Sequence, residues 1–186
     1  MMTELSLHIL DIAENSTRAG ASLVQITVDV RLLADRIIIT IADDGHGMNK
    51  EQLAAVTDPF FTTRTTRKVG LGVPFFKQAA ECSDGSFSIT STVGTGTTVT
   101  ASFCYSHIDR IPLGDLNSTI YTLITMHPDC DFLYTYRIDD ASFVLDTRIF
   151  RELLDGIPFD APDVSAYIKA YLSENEEEVK QKRDIF

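Results

Sequence analysis

The sequence predicts an α/β fold followed by an extension of strands and helices, and three stretches carry this prediction. Residues 4–18 place apolar side chains at helical spacing, and residues 24–30 alternate apolar and polar side chains as a half-buried strand does. Residues 36–42 are mostly isoleucine, which is typical of a central strand. The chain has 186 residues, enough for one domain of ordinary size and an appendage.

Turn signals and periodicity predict the elements that follow the isoleucine-rich strand. Asn49 and Gln52 form a capping-box pattern, and the glycines of residues 93–96 are a hairpin signal. The predicted elements are a short helix at 49–56, a loop at 58–70, a helix at 71–81 and two strands at 86–91 and 97–104.

Charge and chain-breaking residues set the last part of the chain apart. Residues 1–103 carry 8 basic and 11 acidic side chains, whereas residues 104–186 carry 8 and 16, and Pro112 and Gly114 interrupt the pattern between them. We therefore predict a domain at 1–104 and an extension at 105–186 that packs on the domain or continues it. The extension is predicted to contain strands at 120–126, 132–138 and 142–145 and then helices at 147–154 and 162–182.

Composition excludes several classes of protein. The net charge of −11 argues against a broad phosphate-backbone interface, so neither nucleic acid nor an anionic membrane is an expected partner. No stretch reaches the roughly 20 apolar residues of a membrane span, and no signal peptide is evident. The three cysteines lack metal-site spacing and are expected to be reduced thiols. These features predict a cytoplasmic protein.

The first candidate site is the stretch at residues 43–48, Asp-Asp-Gly-His-Gly-Met, which directly follows the isoleucine-rich strand. A carboxylate at a strand end can accept a hydrogen bond from an exocyclic amine such as that of adenine, and glycines allow a ligand to approach the backbone. Aspartate and glycine are also the usual residues of a tight turn. Taken alone, this stretch leaves both interpretations open.

The second candidate site is the stretch at residues 69–73, Val-Gly-Leu-Gly-Val, which opens a predicted helix after a loop rich in threonine and arginine. Free N–H groups at a helix N-terminus bind phosphate, and the loop supplies hydroxyls and cations. A flexible loop with a glycine hinge is the alternative. The stretch is not a Walker loop, because no Gly-Lys-Ser or Gly-Lys-Thr occurs.

The third candidate site is Asn15, which shares a helix face with Asp11. An amide oxygen is a suitable ligand for Mg²⁺, which keeps water and phosphate oxygens for its other positions. Asp11 could orient or deprotonate a water or an acceptor hydroxyl. The alternative is that Asn15 only prepares the helix end before Gly20.

The three stretches occur in the order, and at the compact spacing, of a known family. The chain resembles the GHKL ATPases, the superfamily with the Bergerat nucleotide-binding fold that includes sensor histidine kinases, anti-sigma-factor serine kinases, gyrase-type topoisomerases, mismatch-repair ATPases and heat-shock chaperones. Residues 14–21 are similar to the N box, 43–47 to the first glycine box and 58–64 to the ATP-lid motif of histidine kinases. Residues 70–72 are similar to the second glycine box, and 94–98 to the closing hairpin box.

The resemblance covers residues 4–103 and implies a two-layer α+β sandwich, with a mixed sheet covered by helices on one face. It implies that Asp43 binds adenine and that Asn15 binds Mg²⁺ through the nucleotide phosphates, with Arg18 near those phosphates. The residues it implies for binding ATP are Asn15, Arg18, Asp43, Gly45, Gly47, Met48, Phe60, Thr63, Arg64, Lys68, Gly70, Leu71, Gly72 and Thr97.

Two residues depart from the family pattern. Asp11 stands where hydrolytic members carry glutamate, so its side chain is one methylene shorter as a candidate general base. Lys68 stands where the second glycine box usually begins with glycine, which makes the predicted lid stiffer and more cationic.

Two functions from different classes follow from the resemblance. The first is an ATP-dependent protein kinase that transfers the γ-phosphoryl group to a separate protein, because the chain begins at the N-box helix and no preceding phosphoacceptor hairpin is expected. The second is a slow ATPase or nucleotide-switched binding module, whose lid and extension control a protein partner or a second copy of the chain.

Overall fold

The fold of residues 2–56 and 72–183 is described by a computed structural model. Its helices and strands are, in chain order, α1 (Leu5–Arg18), β1 (Leu23–Arg31), β2 (Arg36–Asp43), α2 (Lys50–Ala55), α3 (Gly72–Glu81), β3 (Ser86–Thr92), β4 (Gly96–Cys104), α4 (Leu116–Met126), β5 (Asp131–Ile138), β6 (Ala141–Asp146), α5 (Thr147–Leu154) and α6 (Pro162–Arg183). The predicted loop at 58–70 lies outside the described residues.

The strands form one mixed sheet of six in the order β3-β4-β2-β1-β5-β6. Strand β1 pairs with β5 in parallel, with Val24 opposite Phe132, and the other neighbours pair antiparallel. The predicted α/β fold with a mixed sheet is therefore confirmed. Strands β5 and β6 continue the sheet of the first hundred residues, while the division of the chain at residue 105 stays a prediction.

Alternation of side chains along the central strands gives the sheet one buried face. Ile37, Ile39 and Ile41 of β2 are essentially inaccessible, whereas Thr40 between them is partly exposed. Helices α1, α3, α4 and α6 pack next to one another over the sheet. Each large aliphatic side chain buried between these layers contributes about 1.5–3 kcal/mol relative to an exposed one.

The prediction of a strand at 120–126 is wrong, because this segment belongs to helix α4. Leu116, Ile120, Leu123 and Ile124 are buried, and their spacing of four, seven and eight residues from Leu116 is that of one helix face. Asp115 caps the helix, since its side chain accepts a 2.8 Å hydrogen bond from the backbone N–H of Ser118. The β-branched residues of 120–126 suggested a strand only because the cap and first turn lay outside that window.

The extension packs against the helical layer through α6. Val164, Ile168 and Leu172 are buried along one side of α6. The amide of Asn117 in α4 donates a 2.7 Å hydrogen bond to Glu176 of α6. Among the described residues, no helix is both long and apolar enough to cross a lipid bilayer.

Candidate functional site

A cavity of about 250 Å³ opens between α1, the loop after β2 and the β3–β4 hairpin. Its walls combine polar groups with apolar side chains, as ligand pockets commonly do. Its described lining consists of Ile12, Asn15, Ser16, Arg18, Ala19, Asp43, His46, Gly47, Met48, Gln52, Val56, Gly72, Val73, Ile89, Thr97 and Val99.

Asp43 ends β2 inside this cavity, and three donors hold its carboxylate. Oδ1 accepts hydrogen bonds from the backbone N–H groups of Gly45, at 3.0 Å, and Thr97, at 3.2 Å. Oδ2 accepts a 2.6 Å hydrogen bond from the hydroxyl of Ser16. Because a carboxylate oxygen has two lone pairs, Oδ2 can still accept a hydrogen bond from a ligand amine.

The loop after Asp43 lies tightly against the β3–β4 hairpin, and Gly47 makes this approach possible. Its φ is +66°, and a Cβ at this position would lie 2.0 Å from the carbonyl oxygen of Thr92. The next backbone N–H, from Met48, donates a 2.8 Å hydrogen bond to Ser91 Oγ. Ser91 Oγ also lies 2.9 Å from Thr97 Oγ1, so the loop and the hairpin share one polar network.

The same loop is tied to the end of α1. The backbone N–H of His46 donates to the carbonyl of Ala19 at 2.9 Å, and the carbonyl of His46 accepts from Gly94 at 2.8 Å. Three segments that are distant in sequence are thereby fixed around one cavity.

Asn15 and Arg18 supply the amide and the cation on the α1 side of the cavity. Arg18 donates through Nη1 to Oδ1 of Asn15 at 3.5 Å, and its Nη2 lies 3.1 Å from Oε2 of Glu14. Within residues 2–56 and 72–183, no three carboxylate, imidazole or thiolate side chains gather into a metal cluster. The amide oxygen of Asn15 therefore fits a Mg²⁺ ion that is held by one protein oxygen together with phosphate and water oxygens.

Asp11 does not line the cavity, and its carboxylate lies against the first residue of α3. A Cβ on Gly72 would be 1.8 Å from Oδ2 of Asp11, so the glycine is needed for this close approach. A carboxylate next to a helix N-terminus interacts favourably with the helix dipole.

Comparison with known proteins places the chain in a family. The sequence pattern of the family described as "Histidine kinase-, DNA gyrase B-, and HSP90-like ATPase" matches residues 2–107, more than half of the chain. The chain belongs to this family. The resemblance of its motifs to those of the GHKL ATPases is therefore confirmed.

The curated relatives of this GHKL chain are much longer proteins. It is 33% identical over 113 residues to the "Non-motile and phage-resistance protein" of Caulobacter vibrioides, covering 58% of this chain and 13% of the relative. It is 32% identical over 97 residues to the "Sensor histidine kinase ZraS" of Salmonella typhi, covering 52% and 21%. It is 28% identical over 93 residues to the "Sporulation kinase C" of Bacillus subtilis, covering 50% and 22%.

Two solved structures share the fold at low sequence identity. The N-terminal domain of a DNA repair protein aligns with a TM-score of 0.57 at 15% identity, over 78% of this chain and 53% of that one. The MutL ATPase domain of Aquifex aeolicus, solved with ADP, aligns with a TM-score of 0.52 at 13% identity, over 83% and 70%.

Most sequence-predicted site residues of this GHKL chain that the structure describes meet at the cavity. Those that line it are Asn15, Arg18, Asp43, Gly47, Met48, Gly72 and Thr97. Gly45 contributes through its hydrogen bond to Asp43. The predicted residues outside the described part of the chain are Phe60, Thr63, Arg64, Lys68, Gly70 and Leu71.

Sequence reasoning missed several lining residues, of which Ser16 is the most informative. Ser16 is buried at 4% exposure. Ser16 directly follows Asn15 in the sequence, and nothing in that position indicates that the Ser16 hydroxyl reaches Asp43. Ile89 and Val99 were assigned only to strands, although they also form the apolar wall of the cavity.

Proposed function

We propose that this protein binds Mg-ATP in the cavity and transfers the γ-phosphoryl group to a separate protein. The observation that carries the proposal is the convergence of Asn15, Arg18 and Asp43 on one cavity. The similarity to sensor and sporulation kinases supports phosphotransfer, and the ADP in the MutL relative supports a nucleotide ligand.

Each residue has a defined part in this proposal. The Asp43 carboxylate accepts a hydrogen bond from the adenine amine, and Ile89 and Val99 contact the base on the apolar side of the cavity. Asn15 holds Mg²⁺, which would neutralise phosphate charge. Arg18 stabilises the charge that develops on the transferring group, so positioning and electrostatics supply most of the catalysis.

In the transfer step, the bond between the γ-phosphorus and the β–γ bridging oxygen breaks, and a bond to the acceptor atom of the partner protein forms. A histidine acceptor attacks through a neutral ring nitrogen. A serine or threonine acceptor must lose its proton. Asp11 lies outside the cavity lining but directly against Gly72, which belongs to it, and is our candidate for the base that takes this proton.

A nucleotide-switched ATPase is the second candidate function, and one observation favours it. The extension shares the sheet with the nucleotide-binding segment, because β5 pairs with β1 along its whole length. A nucleotide that orders the site can therefore alter the extension through the pairing of β1 with β5.

Transfer of label from γ-labelled ATP separates the two functions. The full chain is incubated with Mg-ATP, alone and with proteins encoded beside its gene, and label is followed on protein and as free phosphate. Label on a partner that is lost with Asp43→Asn supports the kinase. Free phosphate without labelled protein supports the switched ATPase, and ATP binding with neither product supports a nucleotide-switched binding module that does not hydrolyse ATP. A chain that binds no ATP contradicts all of these functions.

A further inference from the structure

A histidine of the extension contacts the helix that carries the Mg²⁺-ligand candidate. Nε2 of His127 donates a 2.6 Å hydrogen bond to Oε1 of Glu14, and both side chains are about three-quarters buried, at 24% exposure. Glu14 immediately precedes Asn15. His127 lies beyond residues 2–107, the part of the chain that matches the family.

Glu14 connects His127 to the cavity through Arg18. The other carboxylate oxygen of Glu14 pairs with Nη2 of Arg18 at 3.1 Å, and Nη1 of Arg18 reaches Asn15 at 3.5 Å. The side chain of Arg18 is 53% exposed, and an exposed ion pair of this kind is weak on its own. Because Arg18 contacts Glu14 and Asn15, a change in the contacts of Glu14 changes the positions open to the guanidinium.

His127 is itself held in place by the end of α4. Its backbone N–H donates to the carbonyl of Leu123 at 3.2 Å, and its carbonyl accepts from Cys130 at 3.1 Å. Leu123 is completely buried in the core. The imidazole is thus presented to Glu14 from a fixed turn.

We propose that His127 is a positioning residue for the phosphate end of the nucleotide site. With His127 bound to Oε1, Arg18 pairs with Glu14 through Oε2 in a monodentate contact, which leaves part of the guanidinium available to phosphate. Without His127, both oxygens of Glu14 are free to pair with Arg18 in a bidentate geometry, which draws the guanidinium away from the phosphates. This inference rests on the proposed binding of Mg-ATP.

The inference is tested by comparing the affinity for Mg-ATP, which has phosphates, with the affinity for adenosine, which has none. Dissociation constants for Mg-ATP and for adenosine are measured by calorimetry on the full chain. His127→Ala is expected to weaken Mg-ATP about fivefold or more and to change adenosine less than twofold, because Arg18 acts on the phosphates. His127→Gln keeps an N–H donor for Glu14 and is expected to retain wild-type affinity for both ligands.

His107→Ala is the matched control. His107 also faces a carboxylate, at the longer distance of 3.6 Å from Oδ2 of Asp84, and neither residue lines the cavity. This variant is expected to bind both ligands as the wild type does.

A second substitution tests the role assigned to Glu14. Neutralising the freed carboxylate in His127→Ala/Glu14→Gln removes the competitor for Arg18 and is expected to restore most of the affinity for Mg-ATP. A purely structural defect at His127 would not be repaired in this way.

Three results would overturn the inference: equal weakening of Mg-ATP and adenosine by His127→Ala, no weakening of either, or no recovery in the double variant. A wild-type chain that binds no nucleotide would instead refute the proposed function, and the inference with it.

Discussion

The hydroxyl of Ser16 donates a 2.6 Å hydrogen bond to Oδ2 of Asp43, and this single contact joins the first helix to the end of the second strand. Ser16 is buried in the helix–sheet interface and also lines the cavity, as Asp43 does. The orientation of the carboxylate that we propose to bind adenine therefore depends on the packing of α1 on the sheet.

Ser16→Ala is expected to weaken Mg-ATP binding about 5- to 30-fold, or about 1–2 kcal/mol. This is less than the about 1.5–3 kcal/mol of a hydrogen bond to a charged group, because two backbone donors to Asp43 remain. Calorimetric titration measures the change. Ser22→Ala is the matched control, since Ser22 makes the equivalent contact with Asp44, which does not line the cavity. Equal effects of the two variants would contradict the assigned role of Ser16.

The buried imidazole of His8 is expected to make stability depend on pH. His8 stacks on Phe76 with ring centroids 5.5 Å apart, and its Nδ1 has no hydrogen-bond partner among the described residues. Burial lowers the pKa of His8 from 6.5 to about 4, although the carboxylate of Asp11 acts in the opposite direction. Between these values the unfolded chain binds a proton that the folded chain does not, so stability is complete above pH 6.5 and falls as the pH falls towards 4.

His8→Leu is expected to remove this dependence. Between pH 6.5 and pH 4, the free energy of unfolding of the wild type should fall by on the order of 2 kcal/mol more than that of the variant. Urea unfolding at several pH values measures both. Parallel pH profiles would show that His8 is not held neutral in the fold.

Gly72→Ala is expected to destabilise the protein by about 1–3 kcal/mol, because the new methyl group overlaps the carboxylate of Asp11. Removing that carboxylate should relieve the overlap, so Asp11→Ala/Gly72→Ala should be more stable than the sum of the two single effects predicts. Denaturant unfolding of the wild type, the two single variants and the double variant measures this difference. Strictly additive effects would contradict the contact.

Local patterns in the sequence were sufficient for most of the fold. The strands at β1, β2 and β5 show the alternating or isoleucine-rich patterns from which they were predicted, and α3 and α5 are found where their periodicity and glycines placed them. The parallel pairing of β1 with β5 could not be predicted in this way. It joins residues more than a hundred positions apart, and no local pattern records which strands become neighbours.

The site was predictable where a residue's chemistry is visible in its motif. Asp43 and Asn15 stand in short polar stretches that differ from their surroundings, whereas Ser16 and His127 make their contacts with residues that are remote in sequence. Helix α4 shows the same limit, since isoleucine and threonine at 120–125 favour a strand until the cap at Asp115 is included.

Stabilisation of the full chain by Mg-ATP tests the central claim most directly. At about 100 times its dissociation constant, a ligand of the folded state adds about 2.7 kcal/mol, which corresponds to a rise of roughly 5–10 °C in the melting temperature of a chain this size. The account predicts such a rise for the wild type and none for Asp43→Asn, provided that the two proteins melt alike without nucleotide. An equal rise in Asp43→Asn, or no rise in the wild type, would contradict it.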